Sequence, residues 1–295
     1  MARGRTPASG RCTCSRAAAL GPVRAFGSYE ELLHDPEIDV VVIATHNGLH
    51  RELAIAAMEQ GKHVLCEKPL ALNAGECDEL LAVARVTGRH LVEAFMYRFH
   101  PQIDRLQELI ADGAIGTVRS VSATFRFLLP PDEQVRLRPE WGGGALLDVG
   151  CYGVNICRLL LGPDPDQVRA VAHIDPVYGV DISLQGLLRY PDGRVGLIDC
   201  GFDSELQQGV TITGTAGSIY LDEPFKPISD TATLHLRRDE VVEFLRFAAV
   251  DCYRLEVEDL ARAVLGEGAP RLGPEEGGQN ARIIDRLLRA ARLPE

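Results

Sequence analysis

Positive charge is in short supply in this sequence: 31 Lys and Arg stand against 42 Asp and Glu, for a formal net charge of −11 and a pI near 5.3. Binding to a phosphate backbone needs clustered cations that release counterions, and no basic stripe runs along the chain, so a nucleic-acid partner is excluded. Long apolar runs are also missing. Val40-Val41-Val42-Ile43-Ala44 is typical of the longest, far below the roughly 20 residues that span a bilayer, so no membrane partner is expected. The start of the chain carries Arg3, Arg5, Arg11 and Arg16 but no continuous apolar segment, which argues against a secretory signal and leaves a short transit-like arm as the alternative. The eight cysteines are dispersed, with Cys66, Cys157 and Cys200 inside apolar runs where a reduced thiol behaves as a small hydrophobe. That usage fits a reducing cytoplasm. Cys12 and Cys14 have no second Cys/His pair at zinc-like spacing, so no metal site is expected.

What is present is ordinary globular material. A chain of 295 residues with 46% hydrophobic and 25% charged content can bury two cores of typical domain size. From Tyr29 to about Ala94 helix and strand alternate, the pattern of a parallel sheet with crossover helices. Ser28 caps a helix over Tyr29 to Leu33, and Asp39 to Thr45 reads as a strand buried on both faces, continuous in Val and Ile. Residues 50 to 60 form an amphipathic helix closed by Gly61, and His63 to Cys66 is the next strand. Asn73 caps a helix ended by Gly88, and His90 to Phe95 is a third strand. After a helix over Pro101 to Ala111, β-branched runs separated by turn residues take over: Ser120 to Phe127, Gln167 to Asp175, Val180 to Tyr190, Val195 to Phe202 and Gly209 to Thr213. Short connections between consecutive strands imply a mostly antiparallel sheet. One helix, Ala145 to Leu161, interrupts that series, and two more, near Leu255 to Leu265 and Gln279 to Ala291, close the chain.

Ligands of open α/β sheets bind in the crevice at the carboxyl ends of the strands. Two turns there carry polar groups: His46-Asn47-Gly48-Leu49-His50 after the strand ending at Thr45, and Glu67-Lys68-Pro69 after the strand ending at Cys66. A lysine held beside an apolar strand end needs a partner or a task. The plainer alternative is an exposed turn lysine paired with Glu67. Asp148 and Tyr152, four residues apart in one helix, project from one face. Oxidising an alcohol needs a base for the hydroxyl proton, and a tyrosine serves when a nearby ammonium such as Lys68 lowers its pKa. The alternative is a buried tyrosine bonded to its own helix aspartate.

These elements together resemble the glucose–fructose oxidoreductase, inositol dehydrogenase and rhizopine-catabolism family of NAD(P)-dependent enzymes. The resemblance runs from about Ser15 to nearly the end of the chain and rests on four segments in order: Ser28 to Leu33, Ile43 to His50, Gly61 to Pro69, and Gly143 to Tyr152. It implies a Rossmann doubly wound parallel sheet followed by an α+β domain with a large open, mostly antiparallel sheet, divided here as residues 1–97 and 98–295. It also implies hydride transfer between NADP, or NAD, and a polyhydroxylated small molecule such as a sugar, polyol or cyclic diol. Lys68 matches the catalytic lysine and Asp148 the substrate-site aspartate. Tyr152 stands where inositol-type members carry histidine, as in the branch with xylose and dimeric dihydrodiol dehydrogenases. Thr45, Asn47, His50, Glu67, Lys68 and Pro69 match the cofactor-lining turns, with the Lys68-Pro69 bond cis in many relatives. Ser15 and Arg16 match the segment that meets the 2′-phosphate in NADP-preferring members. A homodimer or higher homo-oligomer formed through the open sheet is implied too.

Two departures stand out. His46 occupies a position where the family has proline, which removes a rigid φ. No G-x-G-x-x-G lies between a strand and a helix before Asp39, and Gly142-Gly143-Gly144 follow a proline-rich loop instead of a strand. The Rossmann sheet is therefore read as incomplete, without its first strand and phosphate turn. Two expectations follow: an N-terminally truncated form of an intact enzyme, favoured because Lys68, Asp148 and Tyr152 are retained, or a shortened relative that acts as a ligand-binding or dimerisation scaffold.

Overall fold

The computed structural model describes residues 24–130, 135–227 and 231–292; Cys12, Cys14, Ser15 and Arg16 lie outside the described residues. Ser28 is extended at φ −149° and its hydroxyl accepts the Glu31 N–H, which starts α1 (Tyr29–Leu33). β1 (Val40–Ile43), α2 (His50–Glu59), β2 (His63–Glu67), α3 (Ala74–Thr87) and β3 (Leu91–Ala94) follow, with Asn73 capping α3 and Gly88, at φ +66°, ending it. The three strands pair in parallel in the order β1-β2-β3, with Val41 opposite Val64 and Leu65 opposite Val92. β2 and β3 are buried almost throughout. The expectation of burial on both faces fails for β1, where Val42 is 55% exposed. β1 is the edge of this sheet, and no strand pairs with its outer side among the described residues.

α4 (Pro101–Ala111) leads into the second sheet, whose eight strands run in the order β11-β10-β9-β8-β4-β7-β6-β5. In chain order these are β4 (Val118–Leu128), β5 (Gln167–Ile174), β6 (Asp181–Arg189), β7 (Val195–Gly201), β8 (Asp203–Gly214), β9 (Ser218–Leu221), β10 (Thr231–Arg238) and β11 (Val241–Ala248). Only the β4–β7 pair is parallel, because the chain crosses over through a helix and two strands between them. The sequence texture located β4 to β8 and passed over β9 and the β10–β11 hairpin. That hairpin turns at Asp239, held at φ +53°.

The sheet is two-faced. Val121, Ala123 and Phe125 of β4 point into the core with Leu184, Ile198 and Val210 of neighbouring strands. On the other face the register aligns Leu187, Leu197, Tyr220 and Phe244 in one cross-strand row, all of them exposed. Beneath the core face lies α5 (Cys151–Leu161), packed on β4 and β7; α6 (Cys252–Val264) packs on the Met96–Phe99 turn and β2, and α7 (Pro274–Arg292) runs against β5, α5 and α3. The segment Pro139–Leu161 is apolar and long enough in composition to cross a bilayer, contrary to the expectation from run lengths, yet most of it is buried inside the fold. α5 sits so close to the sheet that a Cβ on Gly150 would lie 2.7 Å from Cys200 Sγ. The described cysteines, Cys66, Cys77, Cys151, Cys157, Cys200 and Cys252, are all buried and unpaired. Ile156, with no exposed surface, is central to the α5 contact. Replacing it with Ala should cost about 2–5 kcal/mol of stability, read from the urea unfolding midpoint.

Candidate active site

The carboxyl ends of β1 and β2 form two adjacent turns, and His50 braces both. Its Nδ1 lies 2.9 Å from the Pro69 carbonyl and its Nε2 3.2 Å from the Thr45 carbonyl. Burial lowers its pKa, so the ring is neutral and has one N–H to donate to one of these oxygens. Being fully buried, His50 acts through the turns it holds. His46 keeps the conformation a proline would impose, φ −71° and ψ 152°, and its ring stacks on Trp141 at 4.9 Å. Trp141 is thus a packing partner of this turn, and the Arg138 guanidinium lies over its ring, 5.6 Å from the centre. Asn47 Nδ2 donates to the Gly142 carbonyl at 2.8 Å, tying the turn after β1 to the glycine run. Thr45 and Asn47 are half-buried along the rim.

The Lys68-Pro69 bond is cis. Lys68 does not pair with Glu67. Its ammonium donates to the Asp148 main-chain carbonyl at 2.5 Å and to Asp148 Oδ1 at 3.2 Å, across 80 residues of sequence. Burial works hardest against the lysine charge, but the Asp148 carboxylate, with Tyr152, Cys151 and the Asp148 hydrogen bond adding to it, raises the ammonium pKa overall. Burial likewise opposes the Asp148 charge, and Lys68 with Arg136, whose Nε is 2.6 Å from Oδ2, holds the carboxyl below its ordinary value. Glu67 goes the other way, pushed up by burial despite Lys68.

Asp148 sits on a π-helical turn, Leu146–Gly150, and Tyr152 on the first turn of α5. The wider turn separates the two side chains, and Tyr152 is not bonded to Asp148. Its hydroxyl has the Met96 sulfur at 3.9 Å, its ring packs among Phe95, Tyr97, Phe125 and Phe225, and Lys68 Nζ lies 5.3 Å from the ring centre. Burial raises the phenol pKa more than Lys68 lowers it, so here Tyr152 is a protonated phenol and not the lowered one the sequence suggested. Lys68, Asp148 and Tyr152 meet at the floor of a cleft of about 850 Å³. Phe125, Phe127, Arg136 and Tyr253 line its walls. Arg126 lies on the opposite face of β4, paired with Asp199 and Asp203. The period of two along the strand sends Phe125 and Phe127 to the cleft and Arg126 away from it.

The glycine run is explained by two approaches. Gly142 takes φ +75°, and Gly144, at φ +113°, leaves room for Asp181, whose Oδ1 would lie 2.2 Å from any Cβ there. Asp181 Oδ2 accepts the Leu146 N–H at 2.7 Å and so caps the helix that carries Asp148 and Tyr152.

Two family models match this chain: an NAD-binding Rossmann fold of an oxidoreductase family over residues 9–95, and a GFO/IDH/MocA C-terminal domain over residues 103–220. The class is therefore that of a nicotinamide-nucleotide oxidoreductase fold. D-xylose 1-dehydrogenase (NADP(+)) 2 of Haloferax volcanii is 39% identical over 275 residues, covering 92% of this chain and 84% of that protein. Trans-1,2-dihydrobenzene-1,2-diol dehydrogenase of Mus musculus is 37% identical over 207 residues, 69% of this chain and 61% of that protein. A 3-ketoreductase from Actinomadura kijaniata, solved with NADP and TDP-benzene, superposes with a TM-score of 0.88 at 29% identity, over 95% of this chain and 87% of that one. The chain belongs to the GFO/IDH/MocA oxidoreductase family.

Burial pushes Asp181 up to about 6, against the Leu146 N–H. A carboxyl whose folded pKa exceeds its unfolded value binds its proton more tightly when folded, so this stability is present below about pH 4 and lost as pH rises through about 6. Relative to Asp181→Asn, the wild-type protein should lose up to about 3 kcal/mol between pH 4 and pH 7, measured by paired denaturant titrations.

Proposed function

We propose that this protein transfers hydride between NADP(H), or NAD(H), and a CH–OH carbon of a sugar, polyol or cyclic diol. The observation that carries this reading is the Lys68 ammonium, held by Asp148 beside Tyr152 at the floor of the cleft and at the carboxyl end of β2. Thr45, Asn47, Glu67, Lys68 and Pro69 would hold the nicotinamide half of the cofactor. Two buried polar atoms beside these turns have no hydrogen-bond partner among the described residues, which a polar head group would supply: His46 Nδ1, in the turn after β1, and Glu256 Oε1, close to Glu67. Ser15 and Arg16 are assigned to the 2′-phosphate by the family match alone. When bound, the nicotinamide accepts or supplies the hydride.

The remaining steps belong to this chain's side chains. Tyr152, protonated in the free site, donates its phenolic proton to the alkoxide oxygen that forms when a carbonyl is reduced, and Lys68 stabilises the phenolate left behind. Lys68 also polarises the carbonyl oxygen, and Asp148 fixes the direction of the ammonium through two contacts. Phe125 and Phe127 supply an apolar wall that excludes water and packs against the carbon face of a ring. We place the boundary between the cofactor and substrate domains after residue 97. We further propose a homodimer formed through the exposed row of Leu187, Leu197, Tyr220 and Phe244, and a cytoplasmic location in keeping with the buried free thiols.

The alternative is a non-catalytic scaffold that binds a ligand or dimerises through the open sheet, whose exposed row of Leu187, Leu197, Tyr220 and Phe244 favours that use. Fluorescence titration with NADPH separates the two, and micromolar binding supports the enzyme. In an active preparation, Tyr152→Phe and Lys68→Met should each lower kcat by at least about a hundredfold in a spectrophotometric NADPH assay. Full turnover in either variant would contradict the assignment.

A further inference from the structure

Lys68 and Tyr152 sit on different elements, and a buried polar chain away from the cleft connects those elements. Two residues beyond Lys68, the Leu70 N–H donates to Glu93 Oε1 at 2.9 Å. Glu93 Oε2 accepts from Asn280 Nδ2, also at 2.9 Å. The other end of the same amide, Asn280 Oδ1, accepts from Arg158 Nε at 2.9 Å and from Asn155 Nδ2 at 3.4 Å. Asn155 and Arg158 belong to α5, one and two turns past Tyr152. Asn155 is fully buried, and Asn280, Glu93 and Arg158 are 1%, 3% and 8% exposed. One amide from α7 therefore spans the turn that ends in Lys68 and the helix that carries Tyr152.

We propose that Glu93 and Asn280 are positioning residues that set the relative placement of Lys68 and Tyr152; the importance of that placement for turnover rests on the function proposed above. The polarity of the pair is directional. Glu93 offers only acceptors, so Asn280 must present its NH₂ to Glu93, which leaves its oxygen for α5. Burial pushes the Glu93 carboxyl up to about 7 even with the Leu70 N–H and the Asn280 amide pulling the other way; each of its oxygens already faces a donor, so the ionised, acceptor-only form is the one these contacts satisfy and the variants are compared above pH 7. α7 is also seated firmly on the Leu70 turn: a Cβ on Gly277 would lie 2.4 Å from Leu70 Cδ2, and Asp285 Oδ2 accepts the Ala74 N–H at 3.0 Å. At the α5 end Arg158 also holds Glu276 and Gln279 of α7, so the linkage is clamped at both ends.

The directionality supplies the test. Glu93→Gln puts a donor against the Asn280 NH₂, and Asn280→Asp puts two carboxylates face to face; either mismatch leaves buried groups unsatisfied. Combining Glu93→Gln with Asn280→Asp restores a donor opposite an acceptor and leaves an acceptor for Arg158. The chain has three lysines, Lys62, Lys68 and Lys226. Isotope labelling of lysine Nζ and Cε therefore reports on Lys68 directly, with its signal assigned by Lys68→Met, and needs no turnover. Each single variant should move the Lys68 signal toward that of an exposed lysine and lower kcat at least about tenfold with cofactor affinity held within about twofold. The double variant should recover both, to within about threefold in kcat. An unmoved Lys68 signal in folded single variants overturns the proposal, as does a double variant no better than the worse single. Should the single variants not fold, a folded double variant with the wild-type Lys68 signal supports it and an unfolded one overturns it. If the wild-type protein turns over no substrate, the proposed activity fails while the lysine signal still decides this placement.

Discussion

One interaction joins the two halves of this molecule at the point where chemistry is possible: the ion pair between Lys68, at the end of a parallel strand, and Asp148, on a π-helical turn beneath the second sheet. Both side chains are mostly buried, at 14% and 19% exposure. Removing one partner of such a pair strands a charge and costs about 3–5 kcal/mol, which makes the pair a constraint on the surrounding structure and not a decoration of it. The pair demands that the turn after β2 and the helix after Gly144 be held in a single relative position. Much of the neighbouring architecture serves that demand. His50 spans the two strand-end turns, Asn47 reaches Gly142, Asp181 caps the helix start, and α7 covers the far side.

The electrostatic consequence is a division of labour between burial and charge. Lys68 stays protonated because Asp148 is beside it, and Asp148 stays ionised because Lys68 and Arg136 are beside it. Tyr152 has no hydrogen-bond donor at its oxygen among the described residues to stabilise the anion, only the Lys68 ammonium over its ring, and burial prevails. In the free site the tyrosine therefore keeps its proton. A substrate oxygen placed between Tyr152 and Lys68 would change that balance, since it would receive a hydrogen bond from each. The aromatic cluster around Tyr152 keeps the dielectric low, so the lysine charge acts at short range with little screening.

Much of the architecture was legible from periodicity and punctuation. Ser28, Asn73, Gly61 and Gly88 mark helix ends by chemistry that depends on a few neighbouring residues, and they were read correctly from sequence. The β10–β11 hairpin was missed although Ala232, Leu234 and Leu236 alternate, because Asp239-Glu240 is not a strong turn pair. Burial of β1 was overread, since a run of Val and Ile says nothing about whether a neighbour lies along the strand edge. At the site, strand-end position, helix spacing and family resemblance singled out Lys68, Asp148 and Tyr152 and set Lys68 beside Tyr152, but the Lys68–Asp148 ion pair was not foreseen: the π turn changes the phase between Asp148 and Tyr152, and no local pattern encodes it. Phe127 and Tyr253 reach the cleft only through sheet register and helix placement, and Asp181, Glu93 and Asn280 act from positions far along the chain.

The central claim is that hydride passes between a substrate carbon and a nicotinamide at the Lys68–Asp148–Tyr152 site. The most direct measurement follows carbon-bound deuterium. The protein is incubated with NADP(+) and a panel of aldoses, polyols and cyclic diols deuterated at their CH–OH carbons, and the nucleotide is then weighed by mass spectrometry. The account predicts NADPH carrying one deuterium with at least one member of the panel. Nucleotide that binds the protein yet never acquires deuterium from any of them would contradict it.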